Sequence, residues 1–144
     1  MISVGYQFPE FSLEGVNKEN EFVRADNDSL QGWSVVYFYP KDFTFICPTE
    51  IAGFDVLVNE GISVIGISGD NEFCKLAWKQ DNELIGNIQH TLAADTGLRL
   101  SHELGVVDIE NGVCYRATFV IDPNGVIQHV SSNALDTGRN ANEV

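Results

Sequence analysis

The sequence predicts an α/β fold in which a mixed β-sheet is flanked by helices. Runs of β-branched and aromatic residues alternate with segments of helical periodicity, which is typical of this class. The last predicted strands form a hairpin around Asp122–Gly125 (Asp-Pro-Asn-Gly), because proline presets one turn dihedral and glycine tolerates a positive φ. At 144 residues the chain is long enough to bury a core, so we expect a single domain over 1–144.

The first part of the chain leads to one strongly predicted strand. An alternating pattern at Phe8–Leu13 predicts a short edge strand or a hairpin arm, and the polar stretch Asp26–Gly32 predicts a loop. Trp33–Tyr39 is apolar and rich in β-branched and aromatic residues, which predicts a buried strand. Pro40 is expected to end this strand, because proline cannot donate to a sheet ladder.

A helix is predicted to begin at or near Cys47. Pro48 suits the first helical position, and Glu50 suits the first turn. The helix should end near Gly61, which can serve as its C-cap. Apolar residues at helical spacing support the prediction: Ile51, Phe54, Leu57 and Val58. Cys47 is therefore expected at a helix N-terminus, beyond the carboxyl end of a central strand.

The rest of the chain continues the alternation of strands and helices. The predicted strands are Ile62–Ile67, Thr91–Ala94, Tyr115–Ile121 and Val126–Val130. A helix is predicted to follow the turn Ser68–Asn71, and a shorter one at Leu98–Leu104 is predicted to stop at Gly105. The first of these helices should turn four apolar residues to one side, Phe73, Leu76, Ala77 and Trp78, and we expect Phe73 and Trp78 to lie in the core.

Charge and cysteine usage argue against several classes of protein. The net charge of −13 comes from 21 acidic and 8 basic residues, and such a surface repels phosphate backbones and anionic lipids. We therefore expect no nucleic-acid partner. No apolar run approaches the ~18 residues of a membrane helix, and the first residues do not resemble a signal peptide, so no membrane partner is expected. Cysteines at only 47, 74 and 114 favour a cytoplasmic location with reduced thiols.

Cys47 is the candidate nucleophile. A helix N-terminus favours the thiolate, and lowering a thiol pKa to about 6 raises its ionised fraction at pH 7 from about 3% to roughly 90%. Thr44, three residues earlier, can offer a hydroxyl to the sulfur or to a bound oxygen. The competing interpretation is that Cys47 is a small buried hydrophobic residue, as free cysteines often are.

The segment around Cys47 resembles the active-site signature of peroxiredoxins. Pro40, Thr44 and Cys47 have the spacing Pro-x-x-x-Thr-x-x-Cys, and Cys47–Glu50 reads Cys-Pro-Thr-Glu. The string is most similar to the typical two-cysteine class, in the branch of alkyl hydroperoxide reductase C. The resemblance runs from Gly5 to Arg139. It implies a thioredoxin-like fold and a thiol peroxidase that reduces hydrogen peroxide and alkyl hydroperoxides without a metal, flavin or haem cofactor.

The same resemblance implies roles for further residues. Arg116 before a Thr-Phe-Val-Ile-Asp strand matches the family's active-site arginine, which stabilises the thiolate and the transition state. Pro40 would shield the sulfur and shape the loop. Glu50 and Arg139 match an ion-pair network around the site, and the alternative for both is an ordinary surface charge.

Other reactive side chains have structural interpretations. The histidines at 90, 102 and 129 match no family motif and are expected to be solvated or at the edge of the core. A zinc site is disfavoured because paired cysteine or histidine spacings are absent. Cys74 is expected to be buried and inert. Cys114 is either a loop thiol or, if the strand of Arg116 reaches it, a substitute resolving cysteine on the same face as Arg116.

The resemblance also sets expectations for the rest of the reaction cycle. The tail Thr137–Val144 matches the start of a family helix and stops within its first turn, so we expect a truncation that removes the rest of that helix and a later segment with the resolving cysteine. The implied partners are a peroxide, a dithiol reductant such as thioredoxin or a dedicated reductase, and further copies in a homodimer or a ring of dimers. The alternatives are a redox sensor and a chaperone-like oligomer with little turnover.

Overall fold

The computed structural model describes residues 2–43 and 47–133. The strands in this part of the chain are β1 (Ser12–Val16), β2 (Phe22–Asp26), β3 (Ser34–Phe38), β4 (Ser63–Ser68), β5 (Thr91–Ala94), β6 (Val107–Asp108), β7 (Val113–Cys114), β8 (Arg116–Ile121) and β9 (Ile127–Asn133). The helices are α1 (Cys47–Val58), α2 (Glu72–Asp81), α3 (Glu83–Gly86) and α4 (Arg99–Leu104), with a 3₁₀ turn at Asn27–Ser29. None of these helices is both long and apolar enough to cross a membrane.

The main sheet is mixed, as the sequence predicts. Its seven strands run in the order β2-β1-β5-β4-β3-β8-β9. The central strands β3, β4 and β5 are parallel, and the strands on both sides pair antiparallel. The helix α1 connects β3 to β4, and α2 with α3 connects β4 to β5. The carboxyl ends of the three parallel strands therefore meet at one edge of the sheet.

Two apolar clusters cover the two faces of this sheet. The α1 face is closed by α1, α2 and α3, and its largest buried side chains are Tyr37, Tyr39, Phe54, Trp78, Ile85 and Leu92. The α4 face is closed by α4 and the N-terminal segment, and it includes Phe8, Phe11, Phe38, Leu100, Leu104 and Phe119. Alternate residues of β3 enter opposite clusters, because successive strand side chains point to opposite faces.

Most of the predicted elements are observed, and the differences lie at the weakest patterns. The strand β5 and the stop of α4 at Gly105, which has φ 76°, match their predictions. The first strand begins at Ser12 rather than Phe8, and it pairs with β2, which no pattern predicted. The hairpin of β6 and β7 was also missed. Strands of two residues are too short to show a period.

The helix α2 turns a different side to the core from the one predicted. Trp78 is buried, as expected, with 1% of its surface exposed. Phe73 is 64% exposed and packs edge-on against Phe22, so its predicted core position was wrong. Lys75 is fully buried in its place. The helix begins with a cap, because the side chain of Asn71 accepts a hydrogen bond from the Cys74 amide.

Candidate active site

The polar residues of the candidate site gather at the carboxyl edge of the parallel strands. The strand β3 ends at Phe38, and α1 begins at Cys47. Phe38 pairs with Ala117 across the antiparallel β3–β8 contact. Arg116, the first residue of β8, therefore lies at the same edge as the segment that leads to α1. The sheet register, and not closeness in sequence, brings these residues together.

Cys47 is the first residue of the 12-residue helix α1. The sequence prediction of a helix start at or near this position is correct. Pro48 follows it and is buried, and Glu50 lies in the first turn. The unpaired amides and the positive end of the helix dipole are concentrated in this turn. Helix N-termini in general favour the ionised form of a thiol.

An ion pair joins the sheet to the start of α1. Arg116 Nη1 donates to Glu50 Oε1, and only 5% and 4% of the two side-chain surfaces are exposed. Within β8, Ala117 and Phe119 belong to the α4 face, so alternation places Arg116 on the α1 face. Glu50 is thus not an ordinary surface charge. It holds a guanidinium in the helical turn that begins with Cys47.

The other predicted site residues divide between the described and undescribed parts of the chain. Pro40 is buried, two residues beyond the end of β3. Thr44 and Arg139 lie outside the described residues, as does the helix start expected in the tail Thr137–Val144. Among the predicted site residues, the described structure thus brings together the backbone of Cys47 and the side chains of Glu50 and Arg116.

A second buried ion pair at this edge was missed in the sequence. Lys75 Nζ lies 3.4 Å from both carboxylate oxygens of Asp42, and neither side chain has exposed surface. Lys75 Nζ also donates to Ser68 Oγ at 2.6 Å. The Asp42 carboxylate accepts from the Tyr39 hydroxyl at 2.7 Å and from Ser68 Oγ at 3.2 Å. The position of Asp42 between Pro40 and Thr44 was the one signal of its importance, and nothing in the sequence marks Lys75 as buried.

Burial controls the ionisation of this second cluster. Loss of solvent raises the pKa of Asp42 and lowers the pKa of Lys75, and at each group the charge of the partner opposes the shift. Burial, with the carboxylates of Asp42 and Asp70, raises the pKa of Cys74 to about 11. The potential metal-ligating atoms of Asp42, Asp70 and Cys74 lie within 4.8 Å of one another. The Lys75 ammonium already supplies the positive charge beside Asp42.

The two described thiols differ from their predicted environments. Cys74 is half-buried rather than buried. Cys114 is fully buried, lies in β7 and contacts Ser101 Oγ at 3.2 Å. It belongs to the α4 face, whereas Arg116 belongs to the α1 face, because the chain changes strands between them. Neither the loop thiol nor the shared face with Arg116 is observed. Burial raises the pKa of Cys114 to about 11.

One of the three histidines is also more deeply placed than expected. His102 and His129 are exposed, in agreement with the prediction. His90 is only 4% exposed and is held at both ring nitrogens. Its Nε2 lies 2.6 Å from the Tyr37 hydroxyl, and its Nδ1 lies 2.7 Å from Asp55 Oδ1. These contacts join β3, the residue before β5 and α1, and they tie the helix to the sheet.

Comparisons with known proteins point to one family. The model of the AhpC/TSA family matches residues 4–130. Alkyl hydroperoxide reductase C of Mycolicibacterium smegmatis is 37% identical over 161 residues, which cover 100% of this chain and 82% of that protein. The crystal structure of Enterococcus faecalis AhpC superposes with a TM-score of 0.92 at 33% identity, covering 99% of this chain and 88% of that one. The crystal structure of the reduced 2-Cys peroxiredoxin of Plasmodium vivax superposes with a TM-score of 0.91 at 34% identity, covering 99% of this chain and 78% of that one.

Proposed function

The chain belongs to the AhpC/TSA family, and on that premise we propose that it is a thiol peroxidase with Cys47 as its peroxidatic nucleophile. Its substrates are hydrogen peroxide and alkyl hydroperoxides, and its role is antioxidant defence. The observation that carries the assignment to Cys47 is its position at the start of α1, in the same turn as the Glu50–Arg116 ion pair. The raised pKa values of Cys74 and Cys114 support the choice, because those thiols are poorly ionised near neutral pH.

The proposed reaction is a displacement at the terminal peroxide oxygen. The Cys47 thiolate attacks that oxygen, an S–O bond forms and the O–O bond breaks. The sulfur is oxidised by two electrons to a sulfenic acid, and the peroxide is reduced. The leaving alkoxide or hydroxide takes up a proton and departs as alcohol or water. Negative charge moves from sulfur to the leaving oxygen during this step, so a fixed cation near both atoms lowers the barrier.

Arg116 is proposed to supply that fixed cation. Its guanidinium is buried and bonded to Glu50, so little reorganisation is needed as charge develops at the reacting atoms. Glu50 orients it. We further propose that the Thr44 hydroxyl donates to a bound peroxide oxygen, that Pro40 shields the sulfur, and that Arg139 extends the ion-pair network.

The second half of the cycle needs an external reductant. We propose that a dithiol protein such as thioredoxin, or a dedicated reductase, returns Cys47 to the thiol through a disulfide with a resolving cysteine. Such a cycle needs a compartment that keeps thiols reduced, which favours the cytoplasm. We also propose that the protein works as a homodimer or a ring of dimers.

The test is stoichiometric oxidation followed by trapping. One equivalent of hydrogen peroxide should disappear, and a sulfenic-acid reagent such as dimedone should label the tryptic peptide that carries Cys47. Cys47→Ser should abolish both signals, and Cys74→Ser, the matched control, should retain most of the peroxide consumption. Consumption by Cys47→Ser at the wild-type rate would refute the assignment. With a dithiol reductant and the resolving cysteine both present, a redox sensor or a chaperone-like oligomer predicts little sustained turnover, whereas the peroxidase predicts many turnovers.

A further inference from the structure

Lys75 in α2 is a buried charged residue that has no role in the reaction proposed above. Lys75 has no exposed surface, although it sits in a helix with free access to solvent on its other side. A buried ammonium is costly unless it is paired and hydrogen-bonded. Its partners are Asp42 and Ser68, at 3.4 Å and 2.6 Å. Replacing the pair with apolar residues would be at least as stable in many proteins, so fold stability alone does not explain it.

Asp42 is tied to the connection between β4 and α2 in two independent ways. Its carboxylate bonds Lys75 of α2 and Ser68 at the end of β4. Its backbone amide donates to Asp70 Oδ2 at 2.6 Å, in the turn between those two elements. Both the side chain and the main chain at position 42 are therefore fixed, only five residues before Cys47.

The backbone is strained at Phe43, the residue after Asp42. Phe43 has φ 59°, a left-handed conformation that is rare for a bulky side chain. Its ring is 51% exposed and lies 5.9 Å from the ring of Trp78 in α2. Such strain persists only where surrounding contacts over-determine the backbone, and it is concentrated at functional sites. The bonds of Asp42 supply those contacts.

We propose that Asp42 and Lys75 are positioning residues for the reaction at Cys47. Their buried ion pair holds the chain that leaves β3 against the β4–α2 connection, and so fixes the backbone at Asp42, five residues before the start of α1. The inference rests on the proposed peroxidase, and it adds Lys75, which lies outside the segment from Pro40 to Cys47, to the residues that support that site. Displacing a reacting group by about 1 Å can cost about 10²-fold in rate. Loss of the Asp42–Lys75 ion pair should therefore slow the oxidation of Cys47.

The first test compares two lysines of α2. Lys79 lies one turn beyond Lys75, is 3% exposed and donates to the Asn17 carbonyl at 2.7 Å, away from the segment after β3. Lys75→Met and Lys79→Met are studied at a temperature where near-ultraviolet circular dichroism shows both to be folded. Lys75→Met should slow sulfenic acid formation at Cys47 by about tenfold or more, and Lys79→Met should change it by less than about twofold. An unchanged rate in Lys75→Met, or an equal loss in Lys79→Met, would overturn the proposal.

Further variants cover the case in which Lys75→Met does not fold. The pair Lys75→Met and Asp42→Asn removes both charges and leaves neither one buried alone, and Ser68→Ala keeps both charges while removing the 2.6 Å bond. Each variant should react more slowly than wild type, and the double variant should be no slower than Asp42→Asn alone, since the two residues act as one unit. Wild-type rates in both the double variant and Ser68→Ala would reject the positioning role.

A measurement without peroxide separates this inference from the peroxidase itself. Amide hydrogen exchange in the peptide that contains Asp42 and Phe43 should rise by about tenfold or more in Ser68→Ala and Lys75→Met, but not in Lys79→Met. Unchanged exchange in Ser68→Ala and Lys75→Met would overturn the proposed role of the Asp42–Lys75 pair, even if the enzyme were active. Failure of the wild-type protein to consume peroxide would refute the proposed function, and raised exchange in the same experiment would still support that role of the pair.

Discussion

Arg116 on β8 donates to Glu50 in the first turn of α1, and both side chains are almost completely buried. The pairing of Phe38 with Ala117 places the start of β8 beside the end of β3, so the arginine meets the helix that follows β3. The ion pair thus couples the central sheet to the N-terminus of the helix that begins with Cys47. We therefore expect the loss of either charge to change the reactivity that we propose for that cysteine.

Removing the guanidinium should slow the oxidation of Cys47. We expect Arg116→Ala to reduce the rate constant with hydrogen peroxide by about 10²-fold or more, because it removes charge stabilisation from the transition state. It should also raise the Cys47 pKa, since a nearby cation favours the thiolate. Stopped-flow kinetics and the pH dependence of thiol alkylation measure the two effects.

The control for this variant is Arg24→Ala. Arg24 forms an ion pair with Glu14 in which about half of each side chain is exposed, so its loss should have little effect. If folded Arg116→Ala keeps the wild-type alkylation profile, Arg116 does not act on the Cys47 thiolate.

Glu50→Gln tests whether Glu50 acts through Arg116. The amide can still accept a hydrogen bond but no longer carries the charge that holds the guanidinium. We expect a rate between those of wild type and Arg116→Ala, and no further loss when Glu50→Gln is added to Arg116→Ala. An additive loss in the double variant would mean that Glu50 has a separate role. Glu14→Gln is the exposed control.

The sequence predicted the parts of this site that depend on local chemistry. The helix start at Cys47 was readable because Pro48 and Glu50 are both first-turn residues. The contact of Glu50 with Arg116 depends on the register between β3 and β8, which no local pattern contains. Family resemblance pointed to both residues but not to their pairing. A motif can thus identify members of a site before it reveals their geometry.

Lys75 shows the limit of reading a helix by its apolar residues. A lysine is expected in solvent, and a phenylalanine is expected in the core. In α2 the two are exchanged, because Asp42 offers Lys75 a buried counter-charge and Phe22 offers Phe73 a surface contact. Both partners are distant in sequence. Pairings of this kind are set by tertiary structure and cannot be derived from helical periodicity.

Cys114 should not capture oxidised Cys47. It is buried on the α4 face against Ser101, and burial raises its pKa to about 11. A thiol must ionise and approach the sulfenic acid before a disulfide forms. Peptide mapping after one equivalent of peroxide should therefore show no Cys47–Cys114 linkage. Finding that linkage in native protein, but not in a Cys114→Ala control, would contradict this assignment.

The buried His90 should make stability depend on pH. Burial lowers its pKa below the ordinary value of 6.5, and contact with Asp55 only partly opposes that shift. The neutral ring is fully bonded, since Nδ1–H can donate to Asp55 while Nε2 accepts from the Tyr37 hydroxyl. Below pH 6.5 the unfolded chain therefore binds a proton that the folded protein resists.

The sign of the effect follows from this difference in proton binding. Because the unfolded state binds more protons, the free energy of unfolding should fall as the pH drops from about 7.5 to 5.5, by up to about 1.4 kcal/mol per pH unit. Urea unfolding across this range measures the slope. His90→Gln should lose most of it, whereas His102→Gln should retain it, because His102 is exposed. The Asp55 carboxyl does not add to this slope. Its pKa lies below the usual 3.8, so its protonation changes the free energy of unfolding only at lower pH. An equal slope in His90→Gln and wild type would assign the pH dependence to another group.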